Sequence, residues 1–393
     1  MTNSDRNLRA SIEKARNGIL AMFFANGLVI SSWLSRLPDV KQQLELSAGE
    51  LSILLLAIAV GALLGMPLAS RLTNRLGPKS TALIGASVSL SGMLLTVITV
   101  QINASHFVPM FGLFVFGLGA GVWDVVQNLE GSVVEQKLGK SIMPRFHAAF
   151  SGGTVVGALI GVAATQSNFP IAIHVSSAVF VTAFLVIWGT SRYLPSPKVD
   201  EHEDSAKSKQ RSAWAEPRTL LIGLIALAAA FIEGAAGDWT AIAFVEGHGT
   251  STAMGVFAMA VFLAFMTSGR VFGTKALDKF GRVPVLRVIF ISSIFGCLLV
   301  VFGNEVGAFI GAALWGLGAS LGFPVGISAA SDDPKRAAQR IGVVSTIAYS
   351  AFLAGPPLIG FLGDAVGILK ALLVVGATSA IAFLLVPAAR SIR

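Results

Sequence analysis

The chain has 393 residues, 54% of them hydrophobic and 13% charged, with 42 glycines and a net charge of +8. A charged share about half the ~25% of soluble domains, beside a mean hydropathy of +0.75, excludes a chain built around a soluble catalytic domain. The single cysteine excludes an intramolecular disulfide.

Twelve apolar stretches follow one another, each of the ~20 residues that cross a ~30 Å hydrocarbon core as a helix. They lie at 17–36, 48–70, 80–101, 106–129, 147–165, 170–191, 219–245, 253–275, 284–303, 305–327, 341–363 and 367–388. The expected class is an all-α integral membrane protein of twelve transmembrane helices. Function in such a chain falls to the few polar side chains inside the bundle. An ionisable residue at bilayer depth costs at least ~2.5–3.5 kcal/mol on insertion scales and faces the interior or a cavity.

The first span has no persuasive small-residue cleavage site and is expected to remain as a signal anchor. It offers Asn26 and Trp33 as cavity-lining candidates and carries no carboxylate from Asn26 to Leu37. The fourth span holds Asp124, a proton-coupling candidate, with Gln127 and Asn128 beside it. Asn128 is four residues from Asp124 and shares its helix face. Amides both donate to and accept from hydroxyl groups, as a sugar site requires; interhelical bonding is their structural alternative. His147 opens the fifth span, where it can titrate near neutrality or bind substrate, or cap the helix end.

Residues 192–218 carry eleven charged side chains of both signs with Pro195, Pro197 and Pro217. This composition reads as a flexible cytoplasmic linker between a bundle at 1–191 and another at 219–393. In the seventh span Glu233 lies near the middle and is the second proton-coupling candidate. Asp238, five residues on, points ~140° away and is a cavity or outer-gate candidate. Arg270 is expected to pair with a carboxylate of the cytoplasmic gate. Cys297 reads as a small packing residue. Pro356 and Pro357 predict a kinked eleventh span, since each proline removes a backbone donor.

With the N-terminus in the cytoplasm, 25 of the 29 Lys and Arg fall in cytoplasmic segments and helix ends. Only Arg36, Lys41 and Lys370 lie outside, and Arg270 lies within a span. That asymmetry places both termini inside and accounts for the basic charge with no nucleic acid as partner. Gly117-x-Gly119-x-Gly121 lies within a membrane helix, whereas a dinucleotide fingerprint needs a preceding strand. The sequence has no HExxH, no His/Cys cluster and no P-loop. No metal, cofactor, enzymatic centre or ATP-driven pump is expected.

The two halves repeat. Gly117-Leu118-Gly119-Ala120 recurs as Gly316-Leu317-Gly318-Ala319, Leu159-Ile160-Gly161 as Leu358-Ile359-Gly360, and Ser151 as Ser350, all at one spacing of 199 residues. Two parallel six-helix repeats are a transporter plan, with the substrate near the midplane between halves.

The segment from Gly273 to Arg282, with Asp278, Lys279 and Gly281, resembles the cytoplasmic signature G-x-x-x-D-[RK]-x-G-[RK] of the major facilitator superfamily (MFS). The first-half counterpart, Asn74-Arg75-Leu76-Gly77-Pro78-Lys79, keeps Arg75, Gly77 and Lys79 but has Asn74 where the pattern has Asp. The motif is a latch: a carboxylate at a helix end pairs with a base or a helix N-terminus next to it. Asp278 can supply that charge and Asn74 cannot, so the first-half latch is expected to be weaker. These residues, with Arg270, form the expected cytoplasmic gate.

A narrower likeness runs through Asp124 to Asn128, Arg145 to Ser151, Glu233 to Trp239 and Gly316 to Pro324. It is similar to the fucose-permease-like branch and to uncharacterised bacterial inner-membrane permeases. The resemblance implies proton coupling through acids in the first and fourth helices. Asp124 matches the second of these, and the first has no counterpart.

The expectation is a secondary active transporter, not an enzyme, that moves a small polar organic solute by alternating access with proton coupling. A sugar is one candidate solute. It would act as a monomer in the bacterial inner membrane, with lipid, solute and protons as partners. A drug/proton antiporter and an uncoupled facilitator are the alternatives; the absent Gly-Pro in the fifth span weighs against the first.

Overall fold

Runs of apolar side chain leave the backbone no water to bond, so each run closes its hydrogen bonds internally as a helix. The computed structural model describes residues 3–138, 142–194, 212–333 and 336–391; the part of the expected linker at 195–211 lies outside them. Among the described residues, 11 helical runs are long and apolar enough to cross a membrane. One of them, α3 (Ala48–Gln101), has 54 residues and leaves helical geometry at Gly77, φ 78° and ψ 162°. It holds two crossings, which brings the total to the expected twelve. The chain groups into two compact units, 1–46 with 53–203 and 47–52 with 204–393.

The first unit comprises α1 (Asn3–Leu34), a short α2 (Leu37–Gln43), α3, α4 (Phe107–Leu138), α5 (Met143–Gln166) and α6 (Ile171–Thr190). Glycines set the distances between these helices. A Cβ on Gly27 would strike the Phe150 carbonyl, and one on Gly153 the Phe24 carbonyl, so α1 and α5 touch backbone to backbone. Gly117 lies likewise against Ile58 and Gly119 against Ser89, seating α4 on both halves of α3. Ile19, Met22, Phe23, Trp123 and Phe146 fill one part of the interior. Glu135 at the far end of α4 accepts the Ile142 and Met143 N–H groups at 2.6 and 2.7 Å. It thereby satisfies two of the donors that a helix start leaves open.

The second unit begins with α7 (Pro217–Ile242), which passes into a π turn at Ala243–Gly247. It continues with α8 (Thr252–Phe280), α9 (Arg282–Phe302), α10 (Glu305–Ala319), α11 (Gly322–Ala330), α12 (Ala337–Val366), α13 (Ile368–Ala371) and α14 (Leu373–Leu385). The packing repeats that of the first unit. Gly316 lies against Phe262 and Gly318 against Ser293; Gly355 faces Phe231 and Gly234 faces Phe352. Gly281 turns with φ 78° and ψ 172°, close to Gly77. Both sit in the left-handed region that glycine enters without penalty. The expected tenth span is two helices, α10 and α11. α12 stays helical through Pro356 and Pro357. Asp364 accepts the Ala48 and Gly49 N–H groups at 2.8 Å each, which anchors the 47–52 segment within this unit.

Candidate functional site

In the first unit α4 presents Asp124, Gln127 and Asn128 on one face, because positions three and four apart are neighbours on a helix. Gln127 donates from Nε2 to Asp124 Oδ1 at 3.0 Å, and Asn128 from Nδ2 to the same oxygen at 3.2 Å. Asn128 also reaches the Asp124 carbonyl at 2.9 Å. One carboxylate oxygen is thus held by two amides while Oδ2 has no hydrogen bond among the described residues. Gln127 is 1% exposed, and its Oε1 has no hydrogen-bond partner. Asp124 and Asn128 are half-buried. On α1, Asn26 is half-buried, and Trp33 is fully buried with its Nε1 unpartnered. His147, at the start of α5, is exposed and sets its ring edge-on to Phe23 at 5.3 Å.

In the second unit Arg270 donates from Nη2 to Glu233 Oε2 at 2.6 Å, and from Nε to the Ser320 carbonyl at 3.3 Å. The carboxylate that Arg270 meets is therefore in the middle of α7 and not at a loop. Asp238, half-buried one turn further along, makes no hydrogen bond or ion pair among the described residues. Trp239 is fully buried beside it, its Nε1 unpartnered.

The signature loops behave differently from the latch that their pattern suggests. Asn74, Arg75 and Lys79 around Gly77 are exposed, as are Asp278 and Lys279 before Gly281. Lys279 lies over the Phe280 ring at 5.1 Å. Arg282 binds the carboxylate of Asp332, at 2.7 Å from Nη1 to Oδ1, and the Ser328 hydroxyl at 2.9 Å. Asp332 also takes Arg218 Nη2 at 2.8 Å, so one acid after α11 ties the starts of α7 and α9. Glu216, just ahead of α7, binds Arg340 at 2.7 Å, Thr219 at 2.8 Å, and Arg336.

Burial pushes the Asp332 carboxyl up, but hydrogen bonds and charge from Arg282 and Arg218 outweigh it and hold the group below the usual carboxylate range. Glu216 is held low in the same way, burial being outweighed by the bonds from Arg340 and Thr219 and the charges of Arg340 and Arg336. No group of three or more His, Cys, Asp or Glu side chains that could hold a metal occurs among the described residues.

A family model described as Major Facilitator Superfamily matches residues 19–332 and 244–392. The chain belongs to the major facilitator superfamily. It is 30% identical to an uncharacterised transporter, y4wD, of Sinorhizobium fredii over 94% of this chain and 97% of that one. It is 28% identical to the membrane protein MosC of Rhizobium meliloti, over 91% and 86%. Among solved structures, the nucleoside transporter NupG superposes with a TM-score of 0.74 at 12% identity, covering 95% of this chain and 98% of that one. The E. coli fucose:proton symporter FucP gives 0.65 at 16% identity over 94% and 97%. These two likenesses concern the fold.

As an MFS protein the chain is a multi-pass membrane transporter and not an enzyme. The structure brings Asp124, Gln127 and Asn128 into one bonded group and joins Glu233 to Arg270. Arg282 pairs with Asp332, and Asp278 makes no hydrogen bond or ion pair among the described residues. Sequence reasoning missed Asp332 and Glu216, whose partners lie more than 100 residues away for Arg218 and Arg340. It also missed Glu130, which the fourth span was expected to end before; α4 runs on to Leu138. The available signal was Glu130's place six residues after Asp124, on a run without proline.

Proposed function

We propose that this MFS protein is a secondary active transporter that carries a small polar organic solute by alternating access, coupled to protons through Asp124. The observation that carries the reading is the Asp124 carboxylate, held on Oδ1 by the Gln127 and Asn128 amides and open at Oδ2. A carboxylate at membrane depth without a cation partner among the described residues is suited to take up and give back a proton. The amides around it can exchange bonds with hydroxyl groups. FucP and NupG are named for fucose and nucleosides, both polyhydroxylated, and a sugar-like solute is the first class to try. Glu233 is engaged by Arg270, which makes Asp124 the better carrier of the two. The halves 1–191 and 219–393 would rock about the solute, joined by the 192–218 linker. Both termini would lie on the cytoplasmic side of a bacterial inner membrane, a reading that the distribution of Lys and Arg supports, and the protein would work as a monomer.

The test is solute-driven acidification inside proteoliposomes that hold a pH dye, with sugars, polyols, nucleosides and small acids offered in turn. Asp124→Asn is expected to cut the proton signal by about tenfold or more, with Glu233→Gln the smaller loss. Uptake of a solute with no pH change, insensitive to an ionophore, would overturn coupling in favour of a facilitator. Proton movement driven by apolar drugs alone would point to antiport.

A further inference from the structure

α4 carries a second acid that the proposed transport step does not use. Asp124, Gln127 and Glu130 follow one another at intervals of three residues along a helix that runs unbroken to Leu138. Each interval advances ~4.5 Å and turns the side chain back by ~60°, so the two carboxylates lie ~9 Å apart along the axis with the amide between them. Gln127 gives its nitrogen to Asp124 and keeps a buried, unpartnered Oε1. Glu130 is 3% exposed and has no hydrogen bond or ion pair among the described residues.

Beyond Glu130 stands Tyr193, just after α6, with a buried and unpartnered hydroxyl in a cluster with Val134, Ile142, Phe146 and Val186. Burial, and after it the charge of Glu130, holds the Tyr193 phenol above its ordinary range, so it stays a neutral donor. Lys137, two turns on along α4, is the cation whose charge reaches Glu130. On the helices packed against α4, α1 carries Arg9, Glu13, Lys14 and Arg16 at this end, α3 carries Arg71, Arg75 and Lys79 about its Gly77 turn, and α5 carries Arg145 and His147. Arg16 is bonded to the neighbouring Asn17 side chain, and none of these groups bonds to Glu130.

A buried carboxylate that no hydrogen bond or ion pair holds among the described residues is costly to keep as an ion. Three successive polar groups, each with an unfilled hydrogen-bonding position, make a chain along which water can pass a proton.

We propose that Glu130 is the second acid of a proton path within α4: Asp124 hands its proton through water at Gln127 Oε1 to Glu130, which releases it past the Tyr193 hydroxyl toward the end of the helix. The transfer moves one proton from the Asp124 carboxyl to the Glu130 carboxylate, then to solvent, with no other bond made or broken. The path rests on the proposed coupling at Asp124, and it supplies within one helix the partner acid that α1 lacks.

The test is time-resolved infrared difference spectroscopy of the whole protein in nanodiscs after a pH jump, reading the carboxylic-acid C=O bands. The Asp124 band is assigned by its loss in Asp124→Asn. In Glu130→Gln one carboxyl band is expected to vanish, and protonation of Asp124 to slow by about tenfold or more. Glu130→Asp, which keeps the carboxyl, is expected to restore most of the rate. The persisting Asp124 band, with a wild-type elution profile on size exclusion, reports that each Glu130 variant is folded. Protonation of Asp124 at the wild-type rate in Glu130→Gln overturns the path and leaves coupling at Asp124 standing. If Asp124→Asn removes no titrating band, coupling at Asp124 itself fails, and the path with it.

Discussion

Among the described residues Asp332 meets two cations and Glu233 one, and the difference sets what each can do. Asp332 joins Arg218 and Arg282 at 2.8 and 2.7 Å, and the pair of guanidiniums holds its carboxyl below the ordinary range. A carboxyl lowered in the folded state contributes stability that is present above its unfolded value, ~3.9, and lost as pH falls through the lower folded one. Asp332→Asn is therefore expected to lower stability in detergent by about 1–3 kcal/mol at neutral pH. The gap to wild type should stay constant down to about pH 5 and close below about pH 4. Thermal unfolding of both proteins across that range checks it; a gap that widens as pH falls would contradict it. Glu233, at 2.6 Å from Arg270, is a positioned ion pair joining α7 to α8. Removing one partner of such a pair leaves the other charge stranded. Glu233→Gln in the transport assay thus reads structure together with coupling, whereas Asp124→Asn strands no cation.

The elements are spaced by glycine. Without the hydrophobic effect to drive association in lipid, helices gain from close van der Waals contact, and small residues permit it. The contact of α1 with α5 depends on Gly27 and Gly153, each facing a backbone carbonyl. A valine has no room to turn away, since the neighbour is main chain. Gly153→Val is expected to cost about 1–3 kcal/mol or more and to lower the yield of monodisperse protein on size exclusion, while Gly152→Val, with nothing within 4 Å of its Cβ, should be tolerated. Equal behaviour of the two variants would show that the close approach does not matter. The same spacing in the second unit comes from Gly316 and Gly318, so the repeated Gly-Leu-Gly-Ala words are packing surfaces. Helix ends were less legible. α4 continues nine residues past its expected end at 129, because a helix persists beyond the hydrocarbon once its polar side chains reach the interface. That extension places Glu130 and Glu135 on the same rod as Asp124.

At the scale of the molecule, the expected placement of 25 of the 29 Lys and Arg on the cytoplasmic side predicts an orientation with both termini inside. Cys297 is the sole cysteine and is buried, which gives a silent background for labelling. A cysteine placed at Ser205 in the expected linker should react with an impermeant maleimide only after inside-out vesicles are made. One placed at Ser105, between the third and fourth crossings, should react in whole cells. The reverse pattern would invert the topology and the direction assigned to the proton path.

The number of spans, the doubling of the chain and the family signature were open to reading because each rests on local or periodic composition: apolar length, a repeated spacing, a short loop pattern. Asp124 and its two amides were legible for the same reason, since three- and four-residue spacing on one helix is a contact. Arg270's choice of Glu233, the two arginines on Asp332 and the burial of Glu130 were decided only by tertiary structure. Each joins residues distant in the chain or depends on which helix covers them, and a charge's partner is set by position in space, on which sequence distance is silent.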